Sequence, residues 1–234
     1  MKPSASLFEQ TPAVLPVIHV ESLDQALRNT EIARNQQCNG VFLINHDMSH
    51  EALLEIHHNV FTAFPDWWIG INCLDLEPWE IFSRITDEVS GVWVDNAYID
   101  EQAEKQTVAE KITKARLDSG WQGLYFGGVA FKYQRPIDDL ARAATLAKPF
   151  MDVVTTSGSG TGRAAHVNKI QTMKQAIGDF PLAIASGITP DNVHHYLGIA
   201  DCFLVATGIS QSWTALDPAL VGKLVSQVRM SAGN

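Results

Sequence analysis

The chain has 234 residues, 46% of them hydrophobic, and carries a formal net charge of −9. That length can bury a sizeable core, and an acidic chain with no Lys/Arg stripe excludes nucleic acid as a partner. Three scattered cysteines without metal-ligand spacing, no apolar leader in Met1–Pro12 and no apolar run of ~18 residues exclude a disulfide scaffold and a membrane span, and lead us to expect a cytoplasmic protein.

Apolar, β-branched runs alternate with amphipathic stretches along the whole chain. The first run, Val14–Val20, contains His19 and precedes a helical pattern from the N-cap Ser22 to about Gln37. Gly40–Asp47 is the second run, with a helix over roughly Ser49–Ala63. Trp67–Leu74 is the third, and Pro78 suits the first position of a short helix. Gly91–Asn96 is the fourth, followed by a polar loop and a helix over Thr107–Asp118. Gly123–Lys132 and a helix near Ile137–Ala147 make the fifth unit. Met151–Gly162 and a helix near His166–Ile177 make the sixth. In the seventh, Pro181–Ile188 leads into Thr189-Pro190-Asp191-Asn192, a strong helix start with a hydroxyl cap, proline in the first turn and an acid at the positive end. Cys202–Ile209 is the eighth run, and a last helix covers Pro218–Met230.

Eight β-α units of roughly 25–30 residues match the repeat of a (β/α)₈ barrel. No linker or low-complexity tract divides the chain, so a single barrel over residues 1–234 is expected. An open doubly wound sheet would usually place its Gly-rich loop after the first strand; here that loop follows the sixth.

Three loops share one device. Thr156-Ser157-Gly158-Ser159-Gly160-Thr161-Gly162 has no bulky side chain, so its amides can close on an anion and its hydroxyls can donate. Ser186-Gly187 and Thr207-Gly208 repeat the pattern at the ends of the next two runs. One Gly-rich loop serves any tight turn, but three in series predict a shared phosphate site holding Thr156, Ser157, Gly158, Gly160, Thr161, Gly162, Ser186, Gly187, Thr207 and Gly208.

Barrel active sites lie at the C-terminal strand ends. Candidates there are His19, Asn45, His46, Asp47, Asn72, Asp75, Asp95, Asn96 and Lys132, although an Asn or Asp after a strand often only caps or makes a turn. Alternation along the fifth run places Phe126, Gly128, Ala130 and Lys132 on one face, leaving room for Lys132 to reach the mouth. Lys132 and Asp95 are the expected acid/base pair, with His19, Asn45 and Asn72 binding substrate. The pairs His57-His58 and His194-His195 do not share a helix face and read as solvated surface. No HExxH, GxSxG or P-loop lysine motif is present, and no metal or cofactor is expected.

With these motifs placed, the chain resembles the BtpA family, named for a photosystem I biogenesis factor and itself similar to phosphate-binding (β/α)₈ barrels. The resemblance rests on Gly70-Ile71-Asn72-Cys73-Leu74, on Lys132, on Thr156–Gly162, on Ala185–Val193, and on Ala200-Asp201 ahead of Ala206-Thr207-Gly208. The sequence departs from the family pattern in lacking a Pro-Gly-rich run after His19, in carrying Trp93 where arginine is expected, and in having Ile44-Asn45 in place of a Glu-Asn pair. The resemblance implies the barrel fold and phosphate binding.

The expected function is an enzyme acting on a small phosphorylated metabolite, a sugar phosphate or phosphoribosyl compound, by isomerase- or lyase-type acid/base chemistry. The alternative is a non-catalytic ligand-binding or assembly barrel that keeps the phosphate site and has lost the acid/base pair. Nothing in the sequence bars a homo-oligomer.

Overall fold

A computed structural model describes residues 7–8 and 12–232, so most of the Met1–Pro12 stretch lies outside the described residues. The eight apolar runs form eight parallel strands: β1 (Ala13–His19), β2 (Gly40–Ile44), β3 (Trp68–Asn72), β4 (Gly91–Val94), β5 (Leu124–Gly128), β6 (Val153–Ser157), β7 (Leu182–Ala185) and β8 (Cys202–Val205). They pair in sequence order, and β8 pairs back onto β1 to close the barrel. Between and after them run α1 (Leu23–Asn35), α2 (His50–Ala63), α3 (Pro78–Ile81), α4 (Thr107–Ser119), α5 (Leu140–Ala147), α6 (Val167–Ile177) and α7 (Pro218–Ala232). The hydroxyls of Ser22 and Ser49 cap α1 and α2 by accepting the N–H groups of Gln25 and Ala52.

The seventh unit departs from expectation. Only a 3₁₀ turn, Val193–His195, follows β7. Pro190, Val193 and Tyr196 are the buried residues there, a spacing of three that fits a 3₁₀ helix and not a 3.6-residue repeat. The Asn192 side chain accepts from Thr189 N–H and donates to Gly187 O, holding the segment in turns.

Alternation along the strands sorts the core into two layers. Val14, Ile18, Val41, Leu43, Ile69 and Ile71 pack against the helices. Leu15, Phe42, Trp68, Trp93, Phe126 and Leu204 fill the barrel interior, with Leu7 packed among them and Phe8 stacked 6.5 Å from Phe126. The large Trp68 ring fits because two glycines face it. A Cβ on Gly70 would lie 2.7 Å from it, and one on Gly91 2.3 Å. His57 is also buried, 2% exposed, contrary to the surface reading; its Nε2 lies 3.3 Å from Ile69 O. Burial lowers its pKa from 6.5 to about 4.

Candidate active site at the barrel mouth

One half of the mouth is built from side chains on β1, β2, β4 and the loop after β5. His19, His46, Trp93, Asp95 and Lys132 all line a cavity of about 80 Å³ at the C-terminal strand ends. Asp95 directly follows β4, two residues beyond Trp93, and so turns to the same side. Burial pushes its carboxyl above the usual range; Lys132, a 3.0 Å hydrogen bond from Asn72 Nδ2, and His46 pull the other way. His19 is 8% exposed, and burial, with the neighbouring His46 and Lys132, lowers its pKa to about 4. The imidazole is therefore neutral at physiological pH.

Lys132 reaches the mouth by a different route from the one expected. Strand β5 ends at Gly128, and positive φ angles at Ala130 (49°) and Tyr133 (64°) turn the chain before and after the lysine. The turn is held from several sides. Lys132 N–H donates to Ser157 Oγ at 2.7 Å, and Gln134 Nε2 donates to Asp95 O at 2.7 Å. Lys132 Nζ itself lies 3.4 Å from Thr161 Oγ1. The loops after β4 and β5 are further joined by Arg135, whose guanidinium binds the buried Glu101 carboxylate at 2.6 Å and holds its pKa down at about 2.

The other half of the mouth is backbone. The glycine-bearing loops do come together, and close backbone approach requires glycine at three positions, within the loop after β6 at Gly158 and between loops at Gly187 and Gly208. A Cβ on Gly158 would lie 2.0 Å from Arg163 O, one on Gly187 2.2 Å from the Arg163 carbonyl carbon, and one on Gly208 1.9 Å from Ile188 O. The loops after β6, β7 and β8 are thus stacked backbone on backbone. Ser186 Oγ ties two of them, accepting from Gly162 N–H and donating to Gly160 O, both at 3.0 Å. Thr161, Gly162, Ser186 and Thr207 line the same cavity as Asp95 and Lys132. Among the described residues, the N–H groups of Gly187, Thr207 and Gly208 donate to no protein acceptor. Of these three, Thr207 lines the cavity, and Gly187 and Gly208 lie beside it in the stacked loops.

Several predicted residues serve other ends. Thr156 and Ser157 are fully buried: Thr156 Oγ1 donates to Ala130 O, while Ser157 Oγ accepts from Lys132 N–H and donates to Gly158 O. Both hydroxyls are engaged in shaping the loops. Asn45 stands away from the cavity. Its amide donates to Met48 O and Asp75 Oδ1 and accepts from Leu74 N–H, which fastens the loops after β2 and β3 together. Asn72 acts through Asp95 and lines an adjoining groove of about 320 Å³, whose shared wall with the mouth is Leu74 and Asp95. Directly after β7 and β8 come only the 3₁₀ turns Val193–His195 and Thr207–Ile209; α7 begins later, at Pro218.

Two residues that the sequence reading left out stand at the site. Trp213 is 52% exposed and meets His19 edge-on, ring centroids 3.8 Å apart, so it covers the mouth. Lys169 lies in the first turn of α6, where a helix disfavours a cation. Its ammonium instead donates to Ala130 O at 2.5 Å and Ser157 O at 2.7 Å, and burial lowers its pKa to about 8. It fastens the turn that carries Lys132. A lysine placed against the dipole was the one signal available for it.

A closed eight-stranded barrel with its polar residues gathered at the C-terminal mouth places the molecule among the (β/α)₈ barrels. The chain belongs to the BtpA family, which matches residues 94–230. In structure it is similar to phosphoribosyl anthranilate isomerase from Thermus thermophilus (TM-score 0.66, 15% identity, covering 95% of this chain and 100% of that one). It is also similar to (S)-3-O-geranylgeranylglyceryl phosphate synthase from Thermoplasma acidophilum, solved with its substrate sn-glycerol-1-phosphate (0.69, 15%, 97% of each chain). GGGPS from Thermoplasma volcanium gives 0.70 at 11% identity over 98% of this chain and 97% of that one. No curated protein matched the sequence significantly. Among the described residues no helix is long and apolar enough to cross a membrane, and no cluster of His, Cys, Asp and Glu is suited to a metal ion.

Proposed function

We propose that this barrel is an enzyme acting on a small phosphorylated metabolite by isomerase- or lyase-type acid/base chemistry. The observation that carries this reading is that one cavity is lined both by Asp95 and Lys132 and by the loop residues Thr161, Gly162, Ser186 and Thr207. The unengaged amides of Gly187, Thr207 and Gly208 hold the phosphate. Lys132 sits between that rim and Asp95, so it stabilises charge developing on a substrate oxygen or delivers a proton to it. Asp95, oriented by Asn72, takes a proton from the adjacent carbon. Its raised pKa makes it a stronger base than an exposed carboxylate. Two of the structural relatives, an isomerase and a glyceryl phosphate synthase, have names that fit this substrate class.

A non-catalytic ligand-binding barrel is the second reading, and the tight mouth of about 80 Å³ under Trp213 favours it. A thermal-shift screen against phosphorylated metabolites tests the shared claim, since a ligand at 100 times its Kd stabilises by about 2.7 kcal/mol. Turnover of a stabilising compound, detected by 31P NMR, separates enzyme from binder. A screen without any stabilising phosphate compound refutes both.

A further inference from the structure

Two polar atoms of mouth-lining side chains are without partners among the described residues. Trp93 is 4% exposed and its Nε1–H finds no acceptor there; His19 is 8% exposed and its Nδ1 finds no partner there. Both side chains line the cavity that also holds Asp95 and Lys132. Buried donors and acceptors are nearly always satisfied, because a bare one forfeits its hydrogen bonds to water. Thr30, Trp68, Tyr125 and Thr155 also carry bare buried polar atoms, but none of them lines the mouth. Trp93 shares the interior layer with Trp68 and differs in reaching the cavity, as His19 does.

We infer that Trp93 and His19 are specificity-determining residues that bind an uncharged oxygen, a hydroxyl or carbonyl, at the end of the ligand away from its phosphate. This rests on the phosphate-binding reading above. Trp93 offers an N–H and carries no charge, so it suits an oxygen acceptor and gives little to a carboxylate. His19, neutral by burial, accepts or donates according to tautomer and so matches a hydroxyl. Lys132 Nζ is turned to Thr161 on the phosphate side, 3.4 Å away. Beside Trp93 stands the Asp95 carboxylate, with the Lys132 ammonium near enough to draw its pKa down, so a ligand carboxylate there competes with Asp95 for that one cation. The mouth therefore selects short phosphorylated alcohols, aldehydes or ketones, and rejects phosphorylated acids.

The test compares three probes by calorimetry on the full chain: inorganic phosphate, glycerol 3-phosphate and 3-phosphoglycerate. The last two differ only in ending with a hydroxymethyl or a carboxylate. The wild type binds glycerol 3-phosphate at least about tenfold more tightly than 3-phosphoglycerate. Trp93→Phe keeps the ring and removes the N–H; it weakens glycerol 3-phosphate by about three- to tenfold and leaves inorganic phosphate unchanged. Equal binding of the two organic probes, or an unaltered Trp93→Phe, overturns this inference while leaving the phosphate site standing. Failure of inorganic phosphate and both organic probes to bind overturns the phosphate reading and this inference with it. Should Trp93→Phe not fold, the wild-type indole N–H resonances decide: glycerol 3-phosphate shifts the Trp93 signal downfield and leaves that of Trp68 in place. A stationary Trp93 signal at saturating ligand overturns the assignment.

Discussion

The two halves of the mouth are made of different material. The rim over β6, β7 and β8 is backbone: stacked loops, glycines at contact distances no side chain tolerates, and amides with no protein acceptor among the described residues. The opposite rim, from β1, β2, β4 and the turn after β5, is side chain: two histidines, a tryptophan, Asp95 and Lys132. In the proposed reading the first half recognises an anion by shape and fixed dipoles, which neither titrate nor depend on any one side chain. The second half carries groups whose charge is set by burial and by one another, and so it can do chemistry. Each half should therefore break in its own way.

The largest effect is expected in the backbone half. Gly208→Ala puts a methyl 1.9 Å from Ile188 O, a backbone atom that cannot rotate away. The loops after β7 and β8 must separate, at a cost of about 3 kcal/mol. Chemical denaturation reads it, and a fully stable variant would show that the loops are not stacked as described. In the side-chain half, Lys132→Met keeps most of the length and removes the charge. Once a substrate is identified, kcat should fall by at least ~10², about 2.7 kcal/mol, with stability barely altered. A raised KM with intact kcat would limit Lys132 to binding, and an intact kcat/KM would remove it from the mechanism.

A smaller effect sharpens the same contrast. A Cβ on Gly160 meets only Arg163 Cδ, at 3.7 Å, so Gly160→Asp fits the fold and brings a carboxylate to the anion rim. Phosphate affinity should drop by at least ~10-fold, about 1.4 kcal/mol, without loss of melting temperature. Undiminished affinity would take this loop out of the site. His57 belongs to neither half and serves as a control. Its folded pKa of about 4 lies below the ordinary 6.5. Between those values the unfolded chain binds the proton and the folded one does not, so stability is full above 6.5 and declines as pH falls toward 4. His57→Phe, beside Phe61, should lessen that decline and leave phosphate binding at neutral pH untouched. An acid transition identical to wild type would mean that His57 titrates normally.

The barrel was legible because strand period and turn chemistry are local. Eight apolar runs became eight strands, and the serines before α1 and α2 became caps. The seventh helix failed the same local logic: Thr189-Pro190-Asp191-Asn192 is a good start, but the three-residue spacing of Pro190, Val193 and Tyr196 winds the segment as 3₁₀. At the mouth, the meeting of three Gly loops followed from strand order alone. What a hydroxyl or amide does there did not. Ser157, Thr156 and Asn45 have donors and acceptors that sequence cannot distinguish from a ligand's, and each is engaged by a loop distant in sequence. Lys169 was hidden for the converse reason, since its carbonyl partners come from β6 and the turn after β5. Trp213 meets edge-on a histidine almost two hundred positions earlier in the chain, a contact no local pattern encodes.

The central claim is that the loops after β6, β7 and β8 form one anion site facing Asp95 and Lys132. A crystal structure of the protein grown in phosphate tests it most directly. The account predicts a phosphate at the rim, accepting from the N–H groups of Gly187 and of Thr207 or Gly208 at ~2.7–3.2 Å. A mouth that stays free of phosphate at saturating concentration, or an anion held only by surface side chains elsewhere, would contradict it.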